Sequence, residues 1–522
     1  MWFVGLNNVT YLFIEWGVIM RACLDSRLSR QLAILETLWD SEWMTSEELA
    51  ERTGNSEKTI RTDIPIINKY IYPLSIETSF KLGIFLKKDV TIPKSYIYAA
   101  ILNESSEYDL LEQIFFADNL KKIDLSEQLY TSESQITRWL SKINQSLENY
   151  ELRIDNALQI NGDEQKIRTF FSCFFLEKYG SPEKKFPYEQ VQVIDRLIED
   201  FLKENIAIVF ANSKQHFSLS RLKFQLLISI ERMKRKHEIQ TEKLVNGFSF
   251  LMVEASLCEE FKAIFGLELT SHVLQQLFQE YFYPFYPSRV KQGHEELSPL
   301  KIKNKIEEII DELSKVYHVE CDYRDKIVRD IYWTTFQICG PTYILHDKKK
   351  EFFEGILADS PDLAQFLHKK FQQIFSEVEL FKQRKVDEMV HQAIFELMTS
   401  WASLRLGVRQ STITVTAALM LDTTYEHMKM VKEEIEFYFR HKIKIDIIDP
   451  YVKLDRANFS NYDCLLTDTY TSNTYPIPTI GISNYLNDDT ISKLLDFVYL
   501  KREESKEVFA KSHLNSIGLL KE

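Results

Sequence analysis

Leu49–Ile64 reads LAERTGNSEKTIRTDI, and Leu125–Leu140 reads LSEQLYTSESQITRWL. Laid over each other at a constant offset of 76, Leu49 meets Leu125, Ser56 meets Ser132, Ile60 meets Ile136, Ile64 meets Leu140, Ile67 meets Ile143 and Asn68 meets Asn144. Further along, IETSFKL (Ile76–Leu82) meets IDNALQI (Ile154–Ile160) at an offset of 78. Each copy places a short helix, a turn and a second helix ahead of an alternating stretch, the pattern of a helix-turn-helix followed by a β-wing. A unit present twice carries more functional information than any single residue. It implies a chain that engages duplex DNA at two places. The blander alternative is a pair of small helical domains with solvated polar faces.

The local chemistry supports the pattern. Leu28, Leu32, Leu35 and Leu38 form one apolar face of a leading helix. Thr45 and Glu48 form a T-x-x-E capping box for the next helix. Ala50 is small enough for two helices to approach, Gly54 suits a left-handed turn, and Ile60 seats the second helix. Ser56 can cap that second helix, whose inward face is Ile60, Ile64 and Ile67 and whose outward face is Lys58, Thr59, Arg61, Thr62 and Lys69. Pro65 lacks an N–H and is expected to bend it. In the second copy Ser132 and Gln135 read as another capping box. There Ile136, Leu140, Ile143 and Leu147 face inward, and Ser134, Gln135, Arg138 and Lys142 face outward. Tyr130 stands where the first copy has Gly54, so that turn is expected to differ in detail.

With 522 residues and 45% hydrophobic composition, the chain can fold as four or five domains, each with its own core. Plentiful aromatics and scarce Gly and Pro favour long helices with short connections. Six scattered cysteines form no CxxC pair, which gives neither a zinc site nor a disulfide framework and fits a reducing cytoplasm. The net charge of −13 runs against the usual basic character of nucleic-acid binders. Residues 20–165 share that balance, with 16 Lys/Arg against 24 Asp/Glu. DNA contact must then come from where charges sit, while the acidic body discourages non-specific binding. The apolar stretch MWFVGLNNVTYLFIEWGVIM is a poor targeting signal: no cation precedes the apolar run and Glu15 interrupts it. The preferred reading is a translation start at Met20, with a signal or anchor and a packing arm as alternatives for residues 1–19.

From about Phe186 to Ser400 the pattern is helical. A weaker repeat relates LTSHVLQQLFQEYFYPF (Leu269–Phe285) to DEMVHQAIFELMTSWASL (Asp387–Leu404), with His272 and His391 near the starts of corresponding helices. KQGHEELSP, around His294, reads as a linker between the halves. The tail changes character. Strands are expected at Thr412–Met420, Ile443–Asp449, Tyr462–Asp468 and Pro478–Ser483, with helices at Tyr425–Arg440 and Asp488–Leu500, giving a small α/β domain with a largely parallel sheet. No Walker loop, GxGxxG, HExxH or GxSxG is present, so an enzyme, a bound cofactor or a metal site has no support.

This order of parts resembles the Mga/AtxA-like virulence regulators of Gram-positive bacteria, over nearly the whole chain from Met20 on. The resemblance is carried by TSEELAERTGNSEKTI, DLSEQLYTSESQITRWLSKIN and the two helical repeats. It implies a mostly α, multidomain chain: winged helix-turn-helix domains at 20–90 and 91–180, phosphotransferase-system regulation domains at 183–292 and 295–404, and a IIB-like α/β domain at 408–505. It also implies that histidines of the regulation domains accept phosphate from the sugar phosphorelay. The candidates by position are His216, His272 and His391, with His318 and His346 as weaker options. His216 has no histidine counterpart in the second repeat, where Asp322 falls nearby. Active IIB components carry a phosphorylatable cysteine after the first strand. Here that loop, LMLDTTYEH (Leu419–His427), has none, so the resemblance implies an inactive module for association, with His427 the one residual group for modification.

The expected function is that of a cytoplasmic transcription regulator, an activator in preference to a repressor, working on promoter DNA as a homodimer or higher oligomer. The phosphocarrier protein of the sugar system and RNA polymerase are the other expected partners, and no membrane is expected. The outward residues of both recognition helices would enter major grooves, with the wings on backbone or minor groove. Alternatives are an RNA-binding antiterminator with the same regulation domains and a phosphocarrier component of sugar transport.

Overall fold

The computed structural model describes residues 19–117, 120–212, 219–240, 253–282, 299–337, 341–377, 386–411, 414–439, 442–448, 459–469 and 475–501. His216 and His294 lie outside these residues, as do residues 1–18. The described residues fall into two compact units. One takes those within Met1–Glu296, Tyr332–Glu351 and Glu379–Glu388; the other takes those within Leu297–Ile331, Phe352–Val378 and Met389–Glu522.

The first unit begins with a 3-10 turn, Ile19–Cys23, followed by α1 (Ser26–Trp39), α2 (Ser46–Thr53), α3 (Glu57–Tyr70) and the hairpin β1 (Ser75–Ser79) and β2 (Gly83–Lys87). The expected apolar face of α1 is fully buried, and Leu49, Ile60, Ile64 and Ile67 close over it from α2 and α3. The Thr45–Glu48 capping box is formed in both directions: Glu48 N donates to Thr45 Oγ1 at 3.1 Å and Thr45 N donates to Glu48 Oε2 at 2.9 Å. α3 runs through Pro65 as one uninterrupted helix.

A linking pair, α4 (Ser95–Glu104) and α5 (Ser106–Phe116), leads to the second copy: α6 (Lys122–Gln128), α7 (Glu133–Leu147), β3 (Arg153–Ile154) and β4 (Ile160–Asn161). The phenylalanine-rich α8 (Glu164–Tyr179) follows. Its Phe170, Phe171, Phe174 and Phe175 are wholly buried, and Phe171 lies 4.2 Å from Phe115 of α5. α9 (Tyr188–Asn212), α10 (Leu219–Lys234), α11 (Ala255–Phe265) and α12 (Ser271–Phe282) follow in the same unit. Glu164 neutralises the buried Arg168 and Arg232 together, at 3.0 and 2.7 Å. A shared carboxylate is what two otherwise unpaired buried guanidiniums require.

The expected helical run continues through α13 (Pro299–Tyr317), α14 (Arg324–Gln337), α15 (Lys348–Asp359), α16 (Pro361–Ser376), α17 (Val386–Ser400) and α18 (Ala402–Ser411). The tail then forms β5 (Val415–Met420), α19 (Tyr425–Phe439), β6 (Ile443–Ile447), β7 (Cys464–Thr467) and β8 (Thr479–Gly481), with residues 488–501 helical. The sheet order is β6-β5-β7-β8 and every pairing is parallel, with Ala417 opposite both Ile445 and Cys464. Near-continuous apolar strands such as VTAALM are what a sheet covered on both faces demands.

Candidate nucleic-acid interface

In both copies the same asparagine fastens the wing to the recognition helix. Asn68 of α3 donates to Ile76 O at 2.9 Å and accepts from Ile76 N at 2.7 Å. Asn144 of α7 donates to Ile154 O at 2.8 Å and accepts from Ile154 N at 2.7 Å. The side-chain amide imitates a strand neighbour, satisfying one donor and one acceptor that the hairpin leaves open. Sequence comparison paired these asparagines without showing their task.

The turns also agree more closely than the sequence suggests. Gly54 has φ +65 and Tyr130 has φ +49, both left-handed. Asn55 N bonds Ala50 O at 3.0 Å and Thr131 N bonds Ser126 O at 2.9 Å, the same closure at the same offset. The expected difference in the second turn is therefore corrected. Tyr130 adopts the glycine conformation, because the helix crossing fixes the backbone and its side chain, 96% exposed, escapes into solvent. The second capping box is also corrected. Ser132 Oγ accepts from Gln135 N at 3.2 Å, but among the described residues Gln135 makes no return bond to the Ser132 backbone.

On α3, Lys58, Arg61, Thr62 and Lys69 are exposed and Thr59 is half-buried. Arg61 meets Glu57 at 3.2 Å in an exposed pair, which is weak enough to exchange for a phosphate. Thr62 Oγ1 donates back to Lys58 O at 2.9 Å, and Thr59 Oγ1 lies 2.8 Å from the capping Ser56 hydroxyl. Behind this face, buried Asp63 receives Arg30 Nε at 2.5 Å and Gln31 Nε2 at 3.1 Å, which fixes α3 against α1. On α7, Ser134 and Arg138 are exposed and Gln135 is half-buried. Lys142 is placed differently from the outward position expected of it. It is half-buried and its ammonium donates to Leu24 O, because the Ile19–Cys23 turn packs against this part of α7. The exposed cation of the second recognition helix is thus Arg138, on its N-terminal half.

The sequence reading missed the tip of the first wing, where Phe80, Lys81 and Leu82 are all exposed. The available signal was the apolar pair in SFKL at the hairpin turn. The second wing has no such tip: between β3 and β4 Leu158 is buried and the exposed residues are Asn156 and Ala157, while the strands expose Arg153 and Asn161.

The histidines differ in access. His272 opens α12, with its side chain 42% exposed and Nε2 2.9 Å from Glu238 Oε2. His391 is 9% exposed, with its ring stacked on Phe353 at 5.0 Å and 6.1 Å from His368. His346 is buried, stacks on Tyr98 at 4.2 Å and bonds Glu351 at 2.7 Å, and burial holds its pKa below the ordinary histidine value. His318 takes φ +53 just past α13. In the tail, His427 spans Thr423 Oγ1 at 3.0 Å and Asn484 O at 2.6 Å. Cys464 is wholly buried in β7 and its thiol is pushed up to about 12 by burial. That leaves it without thiolate character at neutral pH. No helix among the described residues is long and apolar enough to cross a membrane.

Residues 26–79 match the family model described as the M protein trans-acting positive regulator (MGA) HTH domain, and residues 91–175 match the Mga helix-turn-helix domain. Over 468 residues the chain is 23% identical to a protein of Streptococcus pneumoniae serotype 4 named as a trans-acting regulator, covering 86% of this chain and 93% of that one. It is 27% identical over 222 residues to the capsule synthesis positive regulator AcpA of Bacillus anthracis, covering 42% of this chain and 44% of the relative. It is 26% identical over 165 residues to the anthrax toxin expression trans-acting positive regulator of the same organism, covering 31% and 34%.

Proposed function

Because the chain belongs to the Mga/AtxA-like family of regulators, we propose that it is a DNA-binding transcription activator acting in the cytoplasm on promoter DNA. The observation that carries this reading is the pair of winged helix-turn-helix units, each with its wing clamped by the same asparagine and an exposed arginine on its recognition helix. Lys58, Arg61, Lys69 and Arg138 supply phosphate or guanine contacts, and Thr59, Thr62, Ser134 and Gln135 supply contacts to base edges. With few exposed cations on the two recognition helices, DNA shape makes up a large part of the selectivity. Virulence functions are the expected targets, in keeping with the capsule and toxin regulators among the relatives. Selection of duplexes from a random pool by the full chain tests the reading. Enrichment of a defined site, bound with a salt dependence set by a few phosphate contacts, is the expected outcome; no enrichment over bulk DNA would remove it.

For regulation, the residues assigned to the two regulation domains are proposed to receive phosphate from the sugar system's phosphocarrier protein and so to bias homodimer or higher-order assembly, with RNA polymerase as the downstream partner. Exposure favours His272 over His391, whose ring must first leave Phe353. Phosphate on His272 would place new negative charge against Glu238, 2.9 Å away, and repel it. Incubation with the phosphorylated carrier should label His272 with acid-labile phosphate, and the label should vanish in His272→Ala. An unlabelled chain would contradict this part. The antiterminator alternative is disfavoured by the N-terminal domains. The phosphocarrier alternative is disfavoured by a first-strand loop without cysteine and a Cys464 that is buried and protonated.

A further inference from the structure

Two large apolar side chains stand in solvent at the tip of the first wing: Phe80 is 106% exposed and Leu82 is 56% exposed, with exposed Lys81 between them. Exposed apolar clusters on ordered scaffolds mark binding surfaces. The hairpin beneath is held from three sides. Its strands pair from Ser75–Lys87 to Ser79–Gly83. Asn68 of α3 clamps Ile76. Ile84 exchanges both backbone hydrogen bonds with Met44, at 2.9 and 2.7 Å. Gly83, at φ +99, is where this docking is tightest, since a Cβ there would lie 2.2 Å from Met44 O. Trp43 stacks on Phe85 at 5.2 Å. The tip is therefore presented by a platform already ordered, and little entropy is lost when it inserts into a partner.

The platform also dictates the partner. Asn68 belongs to the recognition helix itself, so the wing is tied to the helix whose exposed face is proposed to meet the duplex. A protein partner is poorly matched. Phe80 and Leu82 together offer only on the order of 300 Å², short of the roughly 800 Å² per side of a stable protein interface. A base step, by contrast, is opened by one or two apolar side chains flanked by a cation. We propose that Phe80 and Leu82 form a wedge that enters the minor groove beside the site read by α3 and partly unstacks one base step, with Lys81 on the adjoining phosphate. Flexible pyrimidine–purine steps yield most cheaply, so the wedge selects a TA or CA/TG step at a fixed distance from the α3 contacts. The second wing, with Leu158 buried, has no wedge, so each chain kinks the stretch it contacts at one end only.

The wedge rests on the DNA-binding reading, and the test separates the two. A duplex enriched from a random pool by the full chain is saturated with protein, then probed with DNase for protection and with permanganate for unstacked thymines. The wild-type chain should give a protected site with a hyper-reactive thymine at one end. Phe80→Ala with Leu82→Ala removes only solvent-exposed side chains. It should keep the protection while the thymine falls back to its free-duplex reactivity. Protection without any hyper-reactive thymine, or hyper-reactivity that survives the double substitution, overturns the wedge alone. A wild-type chain that protects no duplex overturns both readings. Loss of self-association in place of unstacking would assign the tip to a protein contact and overturn the wedge.

Discussion

Gly54 and Tyr130 hold the same left-handed turn with opposite chemistry. At Gly54 an added Cβ would meet nothing within 4 Å, so Gly54→Ala carries only the conformational cost and should destabilise the chain by roughly 1 kcal/mol. Tyr130 already bears that cost, and Tyr130→Gly should recover up to about 1 kcal/mol, less the added entropy of the unfolded chain. Denaturant midpoints should therefore move in opposite directions. A matching fall in both would mean that Tyr130 makes a contact its exposure does not reveal. His346 gives a pH prediction. Burial depresses its pKa, so the folded chain favours the neutral ring while the unfolded chain titrates near the ordinary value of about 6.5. Its contribution is complete above that value and is lost as pH falls through the folded one. His346→Phe keeps a ring against Tyr98 and should flatten the decline in stability between about pH 7 and pH 5. An unchanged slope would assign that decline to other groups.

At the scale of elements, the wing clamps and the two recognition helices make separable predictions. Asn68→Ala or Asn144→Ala leaves a backbone N–H and C=O of the wing without partners and should cost about 1–3 kcal/mol, with faster amide exchange at Ile76 or Ile154. Exchange unchanged at those amides would mean that water replaces the clamp without loss. Arg138→Ala should weaken DNA binding and reduce the salt slope by about one counterion. Lys142→Ala should lower stability while leaving the slope alone, since Lys142 is tied to Leu24. A slope that drops with Lys142→Ala and not with Arg138→Ala would reverse this division. Hydrophobic period and capping residues made α1, α2, α3 and α7 legible in the sequence, because leucine and isoleucine spacing alone decides which face is buried. Lys142 was not legible. Its outward position depends on what packs there, and the Ile19–Cys23 turn is brought to α7 from more than a hundred residues away. The wing tip was legible only as an apolar pair at a hairpin turn, since exposure of Phe80 follows from the hairpin that Gly83 and Met44 hold together.

For the whole molecule, an acidic chain that binds DNA must bring cations together on one surface, and its affinity for bulk sequence must be weak. The order of its parts, from duplicated N-terminal readers to parallel α/β tail, was legible because each has its own periodicity. Which histidines are accessible was not, since the burial of His391 is set by Phe353 on a different helix. Both recognition helices are proposed to contact one duplex through Arg61 and Arg138. The most direct test is equilibrium binding of the full chain to its pool-selected duplex as a function of salt, for wild type, Arg61→Ala, Arg138→Ala and the double variant. Each single change should lower both affinity and salt slope, the slope by about one, and the double variant should lower the slope by about two. Affinity and slope that stay at wild-type values in the double variant would contradict it.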